Sequence, residues 1–291
     1  GIALVVDRLS ALMLTLCAVI ALAALVFSYR RWSRAGVHFH SLFQFLLAGI
    51  NGSFITGDLF NLFVFFEIML AASYGLLLLG LQSERIRASM QYVVINLVAS
   101  SFFLIGVALI YAAAGTLNMA DLAVRASTMG ESERLLLEIG AAVLAIVFLI
   151  KSAVWPLGFW LPTTYAAAAP PVGAMLVLMT KVGIYVLLRL WQLVFAEQTE
   201  LLNALSGAVL VTGGLLTLAF GTIGMLGSQE LGRMAGFSAI ISSGTLLAAL
   251  GYGEPRVISA ALFYLISSTL AVAAFMLLME LIERIRKPSA A

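Results

Sequence analysis

The chain has 291 residues, of which 63% are hydrophobic and 10% charged, with a formal net charge of +2. A soluble domain carries about 25% charged residues, so this composition excludes a water-soluble globule, and the small, dispersed charge leaves no basic footprint for nucleic acid. A single cysteine, Cys17, excludes a disulfide frame, a zinc cluster or an iron–sulfur site within the chain.

Apolar runs of about 20 residues, the length that crosses a bilayer core, are predicted near 3–29, 41–57, 59–81, 89–114, 135–162, 172–195, 203–227, 232–252 and 257–282. The expected fold is an all-α integral membrane protein of about nine transmembrane helices. The connections are short and carry the charges: RRWSR at 30–34, QSERIR from Gln82 to Arg87, GEPR at 253–256. The longest, 115–134, holds Asp121, Arg125, Glu131, Glu133 and Arg134 and is expected to be a loop. No Pro/Gly/Ser-rich linker divides the chain, so 1–291 reads as a single membrane domain. No cleavable signal pattern is visible and residue 1 is Gly, so the expectation is a piece of a longer chain.

The loop arginines and lysines set the expected orientation. One face collects Arg30, Arg31, Arg34, Arg85, Arg87, Arg233, Arg284, Arg286 and Lys287; the other collects Arg8, Arg125, Arg134, Arg189 and Arg256. The first set is larger, which puts the start of the chain outside and its end in the cytoplasm.

The fifth span is interrupted. Pro156 and Pro162, with Gly158 between them, follow Lys151 in KSAVWPLGFWLP. Proline removes a backbone donor and clashes with the preceding turn. Irregular backbone at membrane depth survives only inside protein or beside a watery cavity. A broken helix beside a buried charge is an arrangement transporters use for ion sites. Pro170 and Pro171 fall where the sixth span begins, a favourable place to start a helix.

Three ionisable residues lie deep in spans: Glu67, Lys151 and Lys181. Each costs about 3 kcal/mol or more in a bilayer core, which makes function the first hypothesis for it. Arginines outnumber lysines 13 to 3, yet arginine is absent from these depths. Arginine stays protonated, whereas a buried lysine can release its proton, so the choice of lysine points to proton transfer. Glu67 and Lys151 are expected to pair, with their separation changing proton affinity, and Lys181 to accept and pass on the proton. A static pair that fixes helix packing is the alternative. Tyr74, Tyr185, Ser267 and Ser268 are candidate relay groups, although hydroxyls in spans more often join helices. Asp58 is expected to be a helix N-cap, Glu138 to lie at the membrane edge, and His38 and His40 to be interfacial. The Gly221, Gly224, Gly227 run reads as close helix packing. No metal set, nucleotide motif or quinone site is visible, so no cofactor is expected.

The stretches TGDLFNLFVFFEIMLAASYGLL, YVVINLVASSFFLIGVALIYAAAGTLNMADL, KSAVWPLGFWLP and ALFYLISSTLAVAAF resemble the antiporter-like subunits. These are shared by Mrp-type multisubunit cation/proton antiporters and the membrane arm of respiratory complex I, and the likeness is greatest to the D-type subunit of the Mrp group. The resemblance covers essentially the whole chain. It implies a 14-helix parent with two inverted five-helix repeats. Residues 38–195, including the broken helix, would be the first repeat and 203–282 part of the second. It also implies that Glu67 and Lys151 are the buried acid–lysine pair and Lys181 the central relay lysine. Ser267–Ser268 stand where complex I relatives often carry a histidine, which favours the antiporter branch. The implied function is proton translocation in a Na+ or other monovalent-cation/proton antiporter. Its partners would be other subunits of a hetero-oligomer in the bacterial cell membrane, and the lipid bilayer. The alternative is a proton-pumping subunit of a complex I-like or hydrogenase complex.

Overall fold

A computed structural model describes residues 2–29, 38–79, 83–193 and 200–286. Arg30, Arg31, Arg34 and Lys287, which weigh in the expected orientation, lie outside the described residues. The described residues form eleven helices: α1 (Arg8–Ser28), α2 (Phe39–Ile55), α3 (Leu59–Leu77), α4 (Ser83–Ala114), α5 (Met119–Ala126), α6 (Glu131–Lys151), α7 (Leu161–Ala167), α8 (Pro170–Leu193), α9 (Glu200–Leu226), α10 (Leu231–Tyr252) and α11 (Pro255–Arg286). Among the described residues there is no sheet, only two isolated bridges, Leu4 with Thr56 and Asp58 with Asn118.

The nine expected spans correspond to α1, α2, α3, α4, α6 with α7, α8, α9, α10 and α11. Seven of these helices are long and apolar enough to cross a membrane: α1, α3, α4, α8, α9, α10 and α11. Two fall short of that standard for different reasons. Helix α2 has only 17 residues. Helix α6 begins with Glu131, Glu133, Arg134 and Glu138 and ends on Lys151, which is too much charge for one clean span.

The 115–134 connection is not wholly a loop. Asn118 accepts hydrogen bonds from the amides of Ala120 and Asp121 and starts α5. Met119, Leu122 and Ala126 form its buried side. At eight residues α5 is too short to show as an apolar span, which is why hydropathy misses it. Asp58 caps α3 as expected, its carboxylate accepting from the Asn61 amide at 2.9 Å. Extended residues around Ala3–Val5, Ile55–Leu59 and Leu117–Met119 exchange backbone hydrogen bonds and tie one end of the bundle together.

Helix α8 runs through the middle. Its membrane-length window is entirely buried, and α1, α2, α3, α6, α10 and α11 pack against it. Helix α9 lies on α10 through small residues. A Cβ on Gly214 would sit 2.5 Å from the Ala248 backbone nitrogen, and one on Gly224 would strike the Phe237 ring. Gly221 is similarly close to Ile241, whereas Gly227 touches only its own helix. The glycine run is thus a packing seam, as expected, over two of its three members.

Candidate functional site

The break in the fifth span runs from Ser152 to Trp160, between α6 and α7. Lys151 is the last residue of α6, so the helix ends at the charge itself. The chain then turns through Ala153, which adopts a left-handed φ of 57°, a conformation that costs an L-residue about 1–2 kcal/mol. Its amide and that of Val154 return to Ile150 and Leu149 carbonyls. The Trp155–Pro156 bond is cis. The Trp155 amide donates to Thr217 Oγ1 of α9 at 2.9 Å, which pins the irregular segment to the neighbouring helix. Pro162 does not interrupt a helix: it sits in the first turn of α7, where its missing N–H is harmless. Helix α7 then lies on Gly232 and Gly236 of α10, where added Cβ atoms would come within 2.7 Å of Ala166 and Pro162.

Lys151 is buried. Its ammonium donates to Asn96 Oδ1 of α4 at 2.9 Å and stands 5.8 Å from the centre of the Phe66 ring. One turn along α4, Ser100 donates to Glu67 Oε1. Glu67 and Lys151 form no direct ion pair; each is held instead by a polar side chain of α4, one turn apart. Glu67 is half-buried rather than enclosed. A small cavity beside Lys151 is lined by Tyr92, Asn96, Trp160, Tyr165 and Met179. The Trp160 indole N–H and the Ser152 hydroxyl next to Lys151 have no hydrogen-bond partner among the described residues.

Lys181 lies at the middle of α8 with no exposed surface. Its ammonium donates to Ser242 Oγ of α10 at 2.8 Å, and Ser242 and Ser268 share a hydrogen bond of 2.9 Å. Ser242 and Ser268 in turn line a groove between α10 and α11 with Ser238 and Tyr264. The two lysine clusters adjoin where α8 packs on the end of α6. A Cβ at Gly183 would stand 2.5 Å from Ser152 Oγ.

The other relay candidates fare differently. Ser267 is exposed and bonds its own helix at Tyr264. Tyr185 donates to the Phe54 carbonyl at the end of α2, which ties α8 to α2. Its ring carries Arg189 at 5.0 Å and lines a small cavity with Leu246 of α10 and Leu265 of α11. The Tyr74 ring stands edge-on to Tyr92 at 5.4 Å, and its hydroxyl has no hydrogen-bond partner among the described residues. Asn96, Ser100 and Ser242 are the residues that sequence reading misses. Their signal is a polar side chain inside an apolar run, which helix-joining hydroxyls and amides also give. His38 and His40 are both exposed. Among the described residues no group of three or more His, Cys, Asp or Glu is placed to hold a metal ion.

At the bundle end, Arg189 of α8 bonds both carboxylate oxygens of Asp7, at 3.0 and 2.9 Å. Asp7 caps α1 through a reciprocal pair of hydrogen bonds with Ser10. Partial burial works to raise the Asp7 pKa, but the Ser10 hydrogen bonds and the Arg189 charge outweigh it and hold the carboxyl below its ordinary 3.8. A depressed carboxylate contributes stability above its unfolded value and loses it as pH falls through the folded one. Asp7→Asn is therefore expected to lower the melting temperature slightly at pH 7, with the difference from wild type closing below about pH 3.8. Melting curves of the detergent-solubilised protein at both pH values check this, and a pH-independent difference would contradict the ionic contribution.

A bundle of apolar helices, a span broken just after Lys151 and two enclosed lysines on polar partners define a multi-pass membrane protein of the antiporter-like class. The family described as NADH:quinone oxidoreductase/Mrp antiporter, TM, matches residues 56–290, and the chain belongs to it. It is 58% identical over 290 residues to the D subunit of a probable K(+)/H(+) antiporter of Rhizobium meliloti (strain 1021), covering 100% of this chain and 54% of that one. It is 39% identical to the D subunit of the Na(+)/H(+) antiporter of Alkalihalophilus pseudofirmus, over 98% of this chain and 57% of that one. Among solved structures it is similar to a chain of the Mrp complex from Dietzia sp. DQ12-45-1b. The TM-score is 0.87 and the identity 33%, over 97% of this chain and 52% of that one. The chain thus spans about half the length of the curated relatives it matches.

Proposed function

We propose that this chain carries part of the proton path of a multisubunit monovalent-cation/proton antiporter, and that Glu67, Lys151 and Lys181 are its titrating groups. The observation that carries the reading is the arrangement of the two enclosed lysines. Among the described residues each has one short, neutral hydrogen-bond partner, and they lie either side of a helix break anchored to α9. A static structural charge is normally matched by an opposite charge, since an unmatched one is costly to bury. Neutral partners leave both the protonated and the deprotonated lysine hydrogen-bonded, which suits a group that loads and unloads a proton. Ser242 and Ser268 extend the route from Lys181 toward α11; Ser100 and Asn96 of α4 hold Glu67 and Lys151 respectively.

Similarity to proteins named for Na+ and for K+ supports a monovalent cation as the exchanged ion. The redox-linked branch of the family has less support. The working complex is a hetero-oligomer in the bacterial cell membrane, surrounded by lipid, with the start of this chain outside and its end in the cytoplasm. The spans from α2 to α8 form the first five-helix repeat, and α9 to α11 belong to the second.

The test is cation-driven proton movement in vesicles carrying the full complex. Lys151→Ala and Glu67→Ala are each expected to reduce exchange at least about tenfold, the lower range for loss of a positioned proton-transfer group being larger still. Assembly of the complex should remain normal. Near-normal, pH-dependent exchange by both assembled variants would sink the reading.

A further inference from the structure

The acid and the lysine nearest the break are held apart, and one residue holds the lysine. Asn96 is buried. Its amide nitrogen donates to the Tyr92 carbonyl at 2.8 Å, which fixes the side chain so that Oδ1 faces Lys151. That oxygen accepts from the ammonium at 2.9 Å. Ser100, one turn along the same face of α4, occupies Glu67. Phe66, Phe103 and Phe148 meet one another at tilted or edge-on angles beside these contacts, with ring centres 5.4 to 5.9 Å apart, and wall the region with apolar surface.

We propose that Asn96 is a positioning residue that holds the Lys151 ammonium off Glu67, so that the acid and the lysine are uncoupled until that hydrogen bond is given up. This rests on the proton-path reading above. An amide oxygen suits the task because it is neutral. It satisfies the ammonium without the strong attraction of a carboxylate, so the lysine remains exchangeable between two partners. With its nitrogen committed to Tyr92, the amide presents Oδ1 to Lys151. From α3, Phe66 meets the ammonium, and Glu67, the next residue, is the charged side chain of that helix. From α4 the lysine meets Tyr92 and Asn96, and from α7 Tyr165, while α8 contributes the uncharged Leu176 and Met179. Removing the Asn96 oxygen therefore leaves Glu67 as the alternative partner for the charge.

The experiment measures the pH dependence of exchange by the full complex in membrane vesicles for two variants. Asn96→Leu removes the acceptor at similar volume. The lysine is then expected to pair with Glu67, which lowers exchange about tenfold. The limb of the pH profile that follows proton release should move about one unit to higher pH, one unit being a tenfold change in proton affinity. Asn96→Asp changes a single atom group and sets a carboxylate directly against Lys151, with the same upward movement expected. It decides the matter if Asn96→Leu does not assemble. Asn96→Gln, which keeps an amide oxygen, should lie closer to the wild-type profile. A merely structural asparagine would change the amount of complex or the rate without moving the profile. An unmoved profile in assembled Asn96→Asp overturns the proposal, as does a movement to lower pH. If Lys151→Ala exchanges normally, the proton-path reading itself fails. If Lys151→Ala is inactive and the Asn96 variants keep the wild-type profile, only the positioning role fails.

Discussion

Lys181→Arg is expected to abolish exchange while the complex still assembles. The lysine lies midway along the central helix, fully enclosed, and its ammonium is bonded to Ser242, which is bonded to Ser268. Arginine keeps the positive charge and the capacity to donate to Ser242, but it does not give up a proton in a protein. A role limited to charge or packing survives that change; a role in proton transfer does not. Loss of a positioned proton-transfer group costs enzymes about 100-fold to 10,000-fold, and a fall of that order is expected here. The guanidinium is bulkier than the ammonium in a fully packed site, so Lys181→Met serves beside it. Methionine fills nearly the same volume with no titrating group, and it too should assemble without exchanging. Vesicle exchange assays, normalised to the amount of assembled complex, decide the question. Assembled Lys181→Arg that retains more than about a tenth of wild-type exchange rules out a relay through this lysine.

The features visible in the sequence are those expressed in local composition. Apolar length locates the spans because a helix crossing a bilayer needs about 20 residues whatever it packs against. Rarity locates Lys151 and Lys181, since an enclosed charge must be justified individually. Proline and glycine locate the break but not its ends. Pro156 lies within the irregular segment, whereas Pro162 opens α7, and the same residue type suits both places. What local composition does not contain is direction around a helix axis. The Tyr185 hydroxyl is taken by the Phe54 carbonyl, and Ser267 is near the expected path in number but exposed. Asn96, Ser100 and Ser242 face it from helices that the chain reaches only 33 to 61 residues away from their partners. Glu67 and Lys151 lie in the expected region, but that Ser100 and Asn96 of α4 hold them is a fact of tertiary packing.

Gly158→Val is expected to prevent the break from forming, and with it the placement of Lys151. A Cβ at position 158 would collide with the Ala153 carbonyl oxygen and stand 2.8 Å from its carbon. These are backbone atoms, so no rotamer change relieves the clash. The turn at Ala153 already holds a left-handed residue, and the Trp155 amide is fixed to Thr217 on α9. The segment is therefore tethered on one side of the collision and confined by α10 at Gly232 and Gly236 on the other. Overpacking in a well-packed interior costs about 1–3 kcal/mol even where side chains can give way, and here the chain itself must move. Because Lys151 is only two residues before Ala153, the movement carries its hydrogen bond to Asn96 with it. The expected outcome is a marked loss of assembled complex in the membrane and a melting temperature several degrees lower in what remains. Gly158→Ala, with the same Cβ and less bulk, should show the effect in milder form. Wild-type melting and exchange in Gly158→Ala would mean that the break relaxes freely and that something other than the Ala153–Gly158 contact places the lysine.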